Sequence, residues 1–208
     1  MPRRLPLSNI RLAVFFLAAS AVLTPLSLAQ APVFEITPVS SSVVFSVKSS
    51  VSITGKFDKW DSTLVFTSTD INTGVLDIKI QAASVDTGSG MKNNKLKSKD
   101  FFDVANNPLI TFHSTKIVQT SQYVAGQPVN FEVDGDFTIR GVTKQEKLTL
   151  VVNGYGTGTG EIKGTMAFDR KDYGINGSIP FIKIADRVEV TVNLKAKRTS
   201  GPPVKLNQ

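Results

Sequence analysis

The residues whose types could support catalysis are few in this 208-residue chain. Residues 86–89 read Asp-Thr-Gly-Ser, the signature of aspartic proteases, in which two carboxylates about 3 Å apart share a proton. The sequence has no second Asp-Thr-Gly or Asp-Ser-Gly loop, so such a protease would require two chains to pair. We therefore interpret residues 86–89 as a turn without a catalytic function.

His113 is the single histidine, and the chain contains no cysteine. A Ser-His-Asp relay or a zinc site requires several side chains that converge on one point. His113 follows Phe112 in a segment where apolar and polar residues alternate, which places it on the polar face. We predict an exposed surface histidine, no metal site and no catalytic residue.

The glycine-rich run from Gly154 to Gly160 does not lead from a strand into a helix. This order excludes the usual dinucleotide-binding loop and favours a hairpin connection. Nothing else in the sequence indicates a cofactor, so we expect the protein not to be an enzyme.

Residues 1–29 have the pattern of a secretory signal peptide. Arginines come first, an apolar run extends from Leu12 to Leu23, and Ser27, Leu28 and Ala29 provide small residues for cleavage. The run is shorter than the roughly 20 apolar residues that a membrane span requires. We expect an exported protein without a stable membrane anchor after cleavage.

The basic character of the chain lies partly in that leader. Residues 30–208 contain 21 basic and 17 acidic residues, a net charge of +4, compared with +7 for the whole chain. The lysines at positions 92, 95, 97 and 99 form the one real cluster. Nucleic-acid binding needs a concentrated basic face with stacking aromatic residues, so we do not expect a nucleic-acid partner.

The remaining sequence alternates apolar and polar residues with a period of two, as half-buried β-strands do. Eight segments show this strongly, and a further strand or bend is indicated near residues 53–57. One helix is predicted over residues 94–103, and a flexible tail over residues 199–208. Gly135 is predicted to be a bulge or bend within a strand, because the alternation continues through it. Periodicity alone leaves a two-sheet sandwich and an up-and-down barrel open.

Several motifs in this order resemble the YceI-like family of bacterial exported proteins, from Phe34 to Arg198. The most specific are residues 96–103, Leu-Lys-Ser-Lys-Asp-Phe-Phe-Asp, and residues 135–143, Gly-Asp-Phe-Thr-Ile-Arg-Gly-Val-Thr. Residues 168–175, Phe-Asp-Arg-Lys-Asp-Tyr-Gly-Ile, follow at the expected distance. The resemblance implies an all-β, lipocalin-like extended antiparallel barrel of about eight strands with one short helix, formed by residues 30–198.

The resemblance also implies a function. Members of the family hold polyisoprenoid chains of the quinone or prenyl-phosphate type in an apolar tunnel, so we expect a periplasmic carrier or store for an isoprenoid lipid, as monomer or homodimer. Lys95, Lys97 and Lys99 could meet an anionic head group at the barrel mouth or simply be solvated. The apolar lining is predicted from the shared inward register: Phe45, Val47, Phe66, Ile78, Ile80, Phe112, Phe131, Val133, Phe137, Leu150, Met166, Phe168, Val190 and Val192.

A second hypothesis uses the same residues differently. If these side chains touch one another across the middle, the barrel is filled and acts as a structural or partner-binding module of the cell envelope with no ligand. The sequence leaves the two hypotheses open.

Overall fold

The computed structural model describes residues 30–37, 40–50, 53–179 and 181–207. The signal peptide predicted for residues 1–29 lies outside the described residues. Within them, eleven strand segments pair into one antiparallel sheet. The segments are β1 (Val33–Ile36), β2 (Ser42–Ser49), β3 (Ile53–Phe57), β4 (Trp60–Phe66), β5 (Gly74–Gln81), β6 (Val85–Asp86), β7 (Leu109–Gln119), β8 (Val129–Ile139), β9 (Val142–Asn153), β10 (Thr159–Asp169) and β11 (Ile184–Ser200), with one α-helix, α1 (Gly90–Lys97), between β6 and β7.

The sheet closes on itself because β1 pairs with both β4 and β11. In three places two successive segments continue in the same direction across a bend and together form one barrel strand: β1 with β2, β3 with β4, and β5 with β6. The eleven segments therefore make eight barrel strands. The long strand β11 shows this directly: its first part pairs with β2 and its last part with β1. The predicted barrel of about eight strands is confirmed, and the closed ring of pairings excludes the sandwich.

The predicted alternation is visible in the burial of each strand. In β8, Phe131, Val133 and Phe137 are buried, whereas Glu132 and Asp134 between them are more exposed. Gly135 continues this strand as predicted, and the irregularity lies opposite it, where the register of β7 shifts between Ser114 and Lys116. Phe112 lies so close to Gly135 that an added β-carbon would be 2.6 Å from its ring.

The two ends of the barrel differ. We call the end that carries α1 the helix end; it also holds the β8–β9 turn at 140–141 and the long β10–β11 connection, 170–183. We call the other end the C-terminal end; it holds segments 67–73, 120–128, 154–158 and 201–207. The glycine-rich run lies there as the β9–β10 hairpin connection, as predicted.

The predicted helix is displaced by about one turn. The structure has it at Gly90–Lys97 instead of 94–103, because Ser89 caps it and accepts a hydrogen bond from the Lys92 N–H. After Ser98 the chain folds into tight turns that bury both Phe101 and Phe102.

The structure of residues 199–207 differs from the flexible tail that the sequence predicts for residues 199–208. Strand β11 extends to Ser200, and the following segment lies against the C-terminal end of the barrel. Val204 is buried there, and its carbonyl oxygen accepts a hydrogen bond from the Tyr155 hydroxyl. Gln119 makes two hydrogen bonds of 2.8 Å with the backbone of Asn207. The Gly-Pro-Pro sequence therefore ends the strand without freeing the chain.

Candidate functional site

The predicted lining residues share the inside of the barrel. All fourteen face inward; thirteen are buried and Val190 is partly buried. They do not surround one continuous channel, however. Six border a cavity at the helix end, three border a cavity at the C-terminal end, and five border neither.

The helix-end cavity lies beneath α1 and the β10–β11 connection. The volume of this cavity, counted as the space open to the centre of a water molecule, is about 80 Å³. The predicted residues that border it are Phe45, Val47, Ile80, Phe137, Phe168 and Val190. Phe57, Leu96, Phe101 and Phe102 add to its wall, and the rings of Phe45, Phe57 and Phe102 contact one another at 5.5 to 6.3 Å between centroids.

The C-terminal cavity has a volume of about 120 Å³ in the same measure. Phe66, Phe131 and Leu150 are the predicted residues that border it. Val204 and Leu206 of the C-terminal segment cover it from outside. The segment that was expected to be a tail is therefore part of the wall.

The waist, which we define as Ile78, Phe112, Val133, Met166 and Val192, separates the two cavities. Two glycines make its close packing possible. A β-carbon on Gly164 would lie 2.5 Å from Val192 Cγ2 and 2.9 Å from Leu150 Cδ2, and Gly135 is covered by the Phe112 ring in the same way. The middle of the barrel is therefore filled and its ends are partly open.

The cavity volumes decide what fits without movement. An engineered apolar cavity of about 150 Å³ takes up one benzene molecule. Both cavities are smaller than that. A hydrocarbon chain longer than a few carbons would need the waist side chains to move apart.

Arg170 is the charged side chain most deeply placed at the helix-end cavity, and 8% of the residue is exposed. Its Nη1 donates hydrogen bonds to the carbonyl oxygens of Ile175 (2.7 Å) and Gly177 (3.1 Å), and its Nε donates to Ala185 O (3.2 Å). Its Nη2 forms an ion pair with Asp186 at 3.1 Å. The guanidinium thus holds the β10–β11 connection over the cavity.

Tyr173 extends this packing. It is fully buried, its ring contacts Phe137 and Phe168, and its hydroxyl donates a 2.6 Å hydrogen bond to Glu146. Burial raises the pKa of the Tyr173 hydroxyl above its ordinary value, and the bond to Glu146 raises it further. The hydroxyl therefore stays protonated and acts as a structural donor.

The motifs with possible catalytic chemistry have structural partners. The Asp86 carboxylate accepts hydrogen bonds from the Gly88 N–H (2.9 Å) and the Asn93 amide (3.1 Å), which hold its pKa below the ordinary value. His113 lies on the outside of the barrel, as predicted, 2.7 Å from Asp77. In the part of the chain that the structure describes, no three acidic or histidine side chains converge into a metal site.

A family model described as the YceI-like domain matches residues 34–196. This chain belongs to the YceI-like family. The match runs from β1 into β11 and agrees with the resemblance that the motifs indicate.

Two curated relatives of this YceI-like protein carry the name UPF0312 protein. The one from Pseudomonas savastanoi pv. phaseolicola is 30% identical over 139 residues, which cover 64% of this chain and 69% of the relative. The one from Vibrio cholerae is 27% identical over 148 residues and covers 66% and 73% of the two chains.

Solved structures share the fold of this YceI-like chain. BcnA of Burkholderia cenocepacia has a TM-score of 0.66 at 24% identity, covering 77% of this chain and 99% of BcnA. A structure described as a polyisoprenoid binding domain from Saccharophagus degradans has a TM-score of 0.63 at 17% identity, with 80% and 99% coverage. Similarity at these identities shows the fold alone.

Arg170, Val204 and Leu206 contribute to the site of this YceI-like barrel and were not predicted from the sequence. Arg170 continues the inward register of Met166 and Phe168, so the period of two could have placed it inside, but an arginine did not suggest a buried position. Val204 and Leu206 gave no signal, because they follow Gly-Pro-Pro and belong to no alternating segment.

Among the described residues, no helix is long and apolar enough to span a membrane.

Proposed function

We propose that this YceI-like protein is an exported lipid-binding protein that holds a polyisoprenoid chain of the quinone or prenyl-phosphate type inside the barrel, as a carrier or store. The observation that carries the proposal is a pair of apolar cavities in one closed barrel, separated by the five side chains of the waist. The description of the Saccharophagus degradans structure supports the choice of lipid. The leader pattern in residues 1–29 supports export, and the family supports the periplasm.

The energetics require the waist to open. Burying hydrocarbon contributes ~0.8 kcal/mol per CH₂ group, so roughly ten carbons contribute about 8 kcal/mol. That corresponds to a micromolar dissociation constant before association costs are subtracted. The cavities as they stand do not hold ten carbons, so the chain must displace side chains such as Met166 and Phe112. Methionine adapts easily because it is unbranched and has three rotatable bonds.

The filled waist also supports the second candidate, a structural or partner-binding module of the envelope. In that case the cavities are packing defects at the two ends. The candidates differ in one measurable property, the uptake of a prenyl chain.

A pair of neighbouring substitutions in β2 tests the proposal. Val47 borders the helix-end cavity, whereas the adjacent Ser46 points to the outside. Val47→Phe should fill the cavity and lower affinity for a prenyl quinone at least about tenfold, because displacing even two CH₂ groups corresponds to that factor. Ser46→Phe, the control, should leave affinity unchanged.

The measurement is native mass spectrometry of residues 30–208, with organic extraction of any bound lipid and titration with a prenyl quinone. Thermal unfolding of both variants verifies that they fold. A wild-type protein that repeatedly purifies without lipid from its own host and takes up no prenyl quinone would overturn the carrier function and leave the filled barrel.

A further inference from the structure

The excess of positive charge in this protein lies at one end of the barrel. Within the described residues, the connections at the helix end (82–108, 140–141 and 170–183) contain eight basic and four acidic residues, a net charge of +4. The four segments at the C-terminal end contain one acid, Asp70, and one base, Lys205. The helix-end connections alone therefore carry a net charge equal to that of residues 30–208.

The strand ends beside the helix-end connections do not change this balance. They contribute four basic and four acidic residues: Lys48, Lys79, Lys144 and Arg187 against Asp136, Glu146, Asp169 and Asp186. The excess of positive charge thus lies on the connections that protrude beyond the strands.

The same end carries the two most exposed large apolar side chains in the described chain. Phe181 is fully exposed, with a relative accessibility of 105%, and Met91 is 85% exposed. Phe181 lies at the tip of a tight turn in which the Ile182 N–H donates to Ile179 O (3.1 Å). Its φ of 64° is a conformation that bulky residues rarely adopt.

Both apolar tips belong to segments that border the helix-end cavity. Helix α1 contains Met91 and contributes Lys92 and Leu96 to the cavity wall. The connection that carries Phe181 contributes Ile179. The connection is anchored beside the helix, because the Gly177 N–H donates to the carbonyl oxygen of Asp100 at 2.9 Å. The mouth of the cavity is thus flanked by exposed apolar side chains.

Four lysines on the helix-end connections have no ion pair within the described residues: Lys92, Lys97, Lys99 and Lys183. Neighbouring cations are already paired, since Lys95 lies 3.4 Å from Asp100 and Lys171 lies 2.7 Å from Asp186. The unpaired ammonium groups are available to an external anionic surface.

We propose that the helix end docks on an anionic lipid bilayer. Phe181 and Met91 insert between the head groups, the four lysines contact lipid phosphates, and the cavity mouth faces the membrane. Protruding apolar side chains surrounded by lysines are the features with which proteins bind a membrane surface, through buried apolar area and attraction to anionic lipids. Docking does not depend on the proposed function, although it would give an isoprenoid lipid a direct route into the barrel.

The test is co-sedimentation of residues 30–208 with two kinds of vesicle, phosphatidylcholine alone and phosphatidylcholine mixed with phosphatidylglycerol. We expect binding to the mixed vesicles that weakens with added salt. The combined change of Lys97, Lys99 and Lys183 to glutamine should lower binding about a hundredfold at low salt, since each lysine near an anionic surface contributes roughly a factor of five.

The control for charge changes Lys116, Lys163 and Lys197 to glutamine. These lysines are exposed on the barrel wall, so the net charge falls equally but away from the helix end. This variant should retain most of the binding. Equal losses in the two triple variants would overturn the proposal, because they would show attraction to the whole protein without a docking face.

A second pair of variants tests insertion of the ring. Phe181→Ser should lower binding to the mixed vesicles about tenfold, in keeping with loss of buried apolar area. Val124→Ser removes an apolar side chain that is 56% exposed at the opposite end and should have no effect. Equal behaviour of these two variants, or no binding of the wild type to mixed vesicles, would overturn the proposal. Uptake of a prenyl quinone is measured without vesicles, so docking and lipid carriage can fail independently.

Discussion

Replacing Gly135 by alanine measures how closely the waist is packed. A β-carbon at this position would lie 2.6 Å from Cζ of Phe112 and 2.7 Å from the carbonyl oxygen of His113. The aromatic ring could turn aside, but the carbonyl belongs to β7, whose pairing with β8 fixes its position. The alanine would therefore have to push the two strands apart.

The size of the effect follows from two opposing terms. Overpacking a core costs about 1–3 kcal/mol, and a contact with backbone that no rotamer can relieve should place the cost near about 3 kcal/mol. Alanine restricts the unfolded chain, which stabilises the fold by about 0.4–1 kcal/mol. We expect Gly135→Ala to lower the free energy of unfolding by about 2 kcal/mol.

Gly90→Ala is the matched control. No atom lies within 4 Å of a β-carbon at Gly90, the first residue of α1, so this substitution should stabilise the protein by up to about 0.5–1 kcal/mol. Urea unfolding can be followed by the fluorescence of Trp60, the single tryptophan. With a denaturant dependence of about 2 kcal/mol per molar, the midpoint of Gly135→Ala should fall by about 1 M. A midpoint equal to or above that of the wild type would refute the close packing of the waist.

Two further predictions concern the connection over the helix-end cavity. Arg170→Met leaves the carbonyl oxygens that this guanidinium binds without their donors, which should lower the free energy of unfolding by about 3 kcal/mol. Circular dichroism should then show a melting temperature lower by about 6–12 °C. An unchanged melting temperature would contradict the structural role of Arg170. The hydrogen bond from Lys171, followed by the charges of Lys171 and Arg170, lowers the pKa of Asp186 from its ordinary 3.8. The contribution of Asp186 to stability is therefore present above pH 3.8 and is lost as the pH falls through the lowered pKa. Asp186→Asn should make the free energy of unfolding fall less steeply at acid pH. An identical fall in the variant and the wild type would contradict this contribution of Asp186.

Local patterns were sufficient to predict most of the barrel wall. In β8 and β10 the period of two placed Phe131, Phe137 and Phe168 inside, since a strand directs alternate side chains to opposite faces whatever its partners are. His113 and Asp86 could also be predicted to have no catalytic function, because each lacks the neighbours that catalysis would need.

The bounds of the helix could not be predicted from its apolar residues alone. Phe101 and Phe102 suggested a helix around them, but the cap at Ser89 starts it earlier and the turns after Ser98 bury both rings. The C-terminal segment escaped prediction for a related reason. Its place depends on contacts with Gln119 and Tyr155, which are distant in the sequence.

The strand pattern, the inward set of side chains and the resemblance to the YceI-like family could be predicted, because they follow from the order of residues along the chain. The division of the interior into two cavities by a packed waist, and the position of the unpaired lysines at one end with Phe181 and Met91, became visible only in the folded barrel. The physical reason is that a cavity is a difference between the space that the closed barrel encloses and the volume that its side chains fill. That difference depends on how facing strands interlock, as Phe112 does over Gly135, and no single strand contains this information.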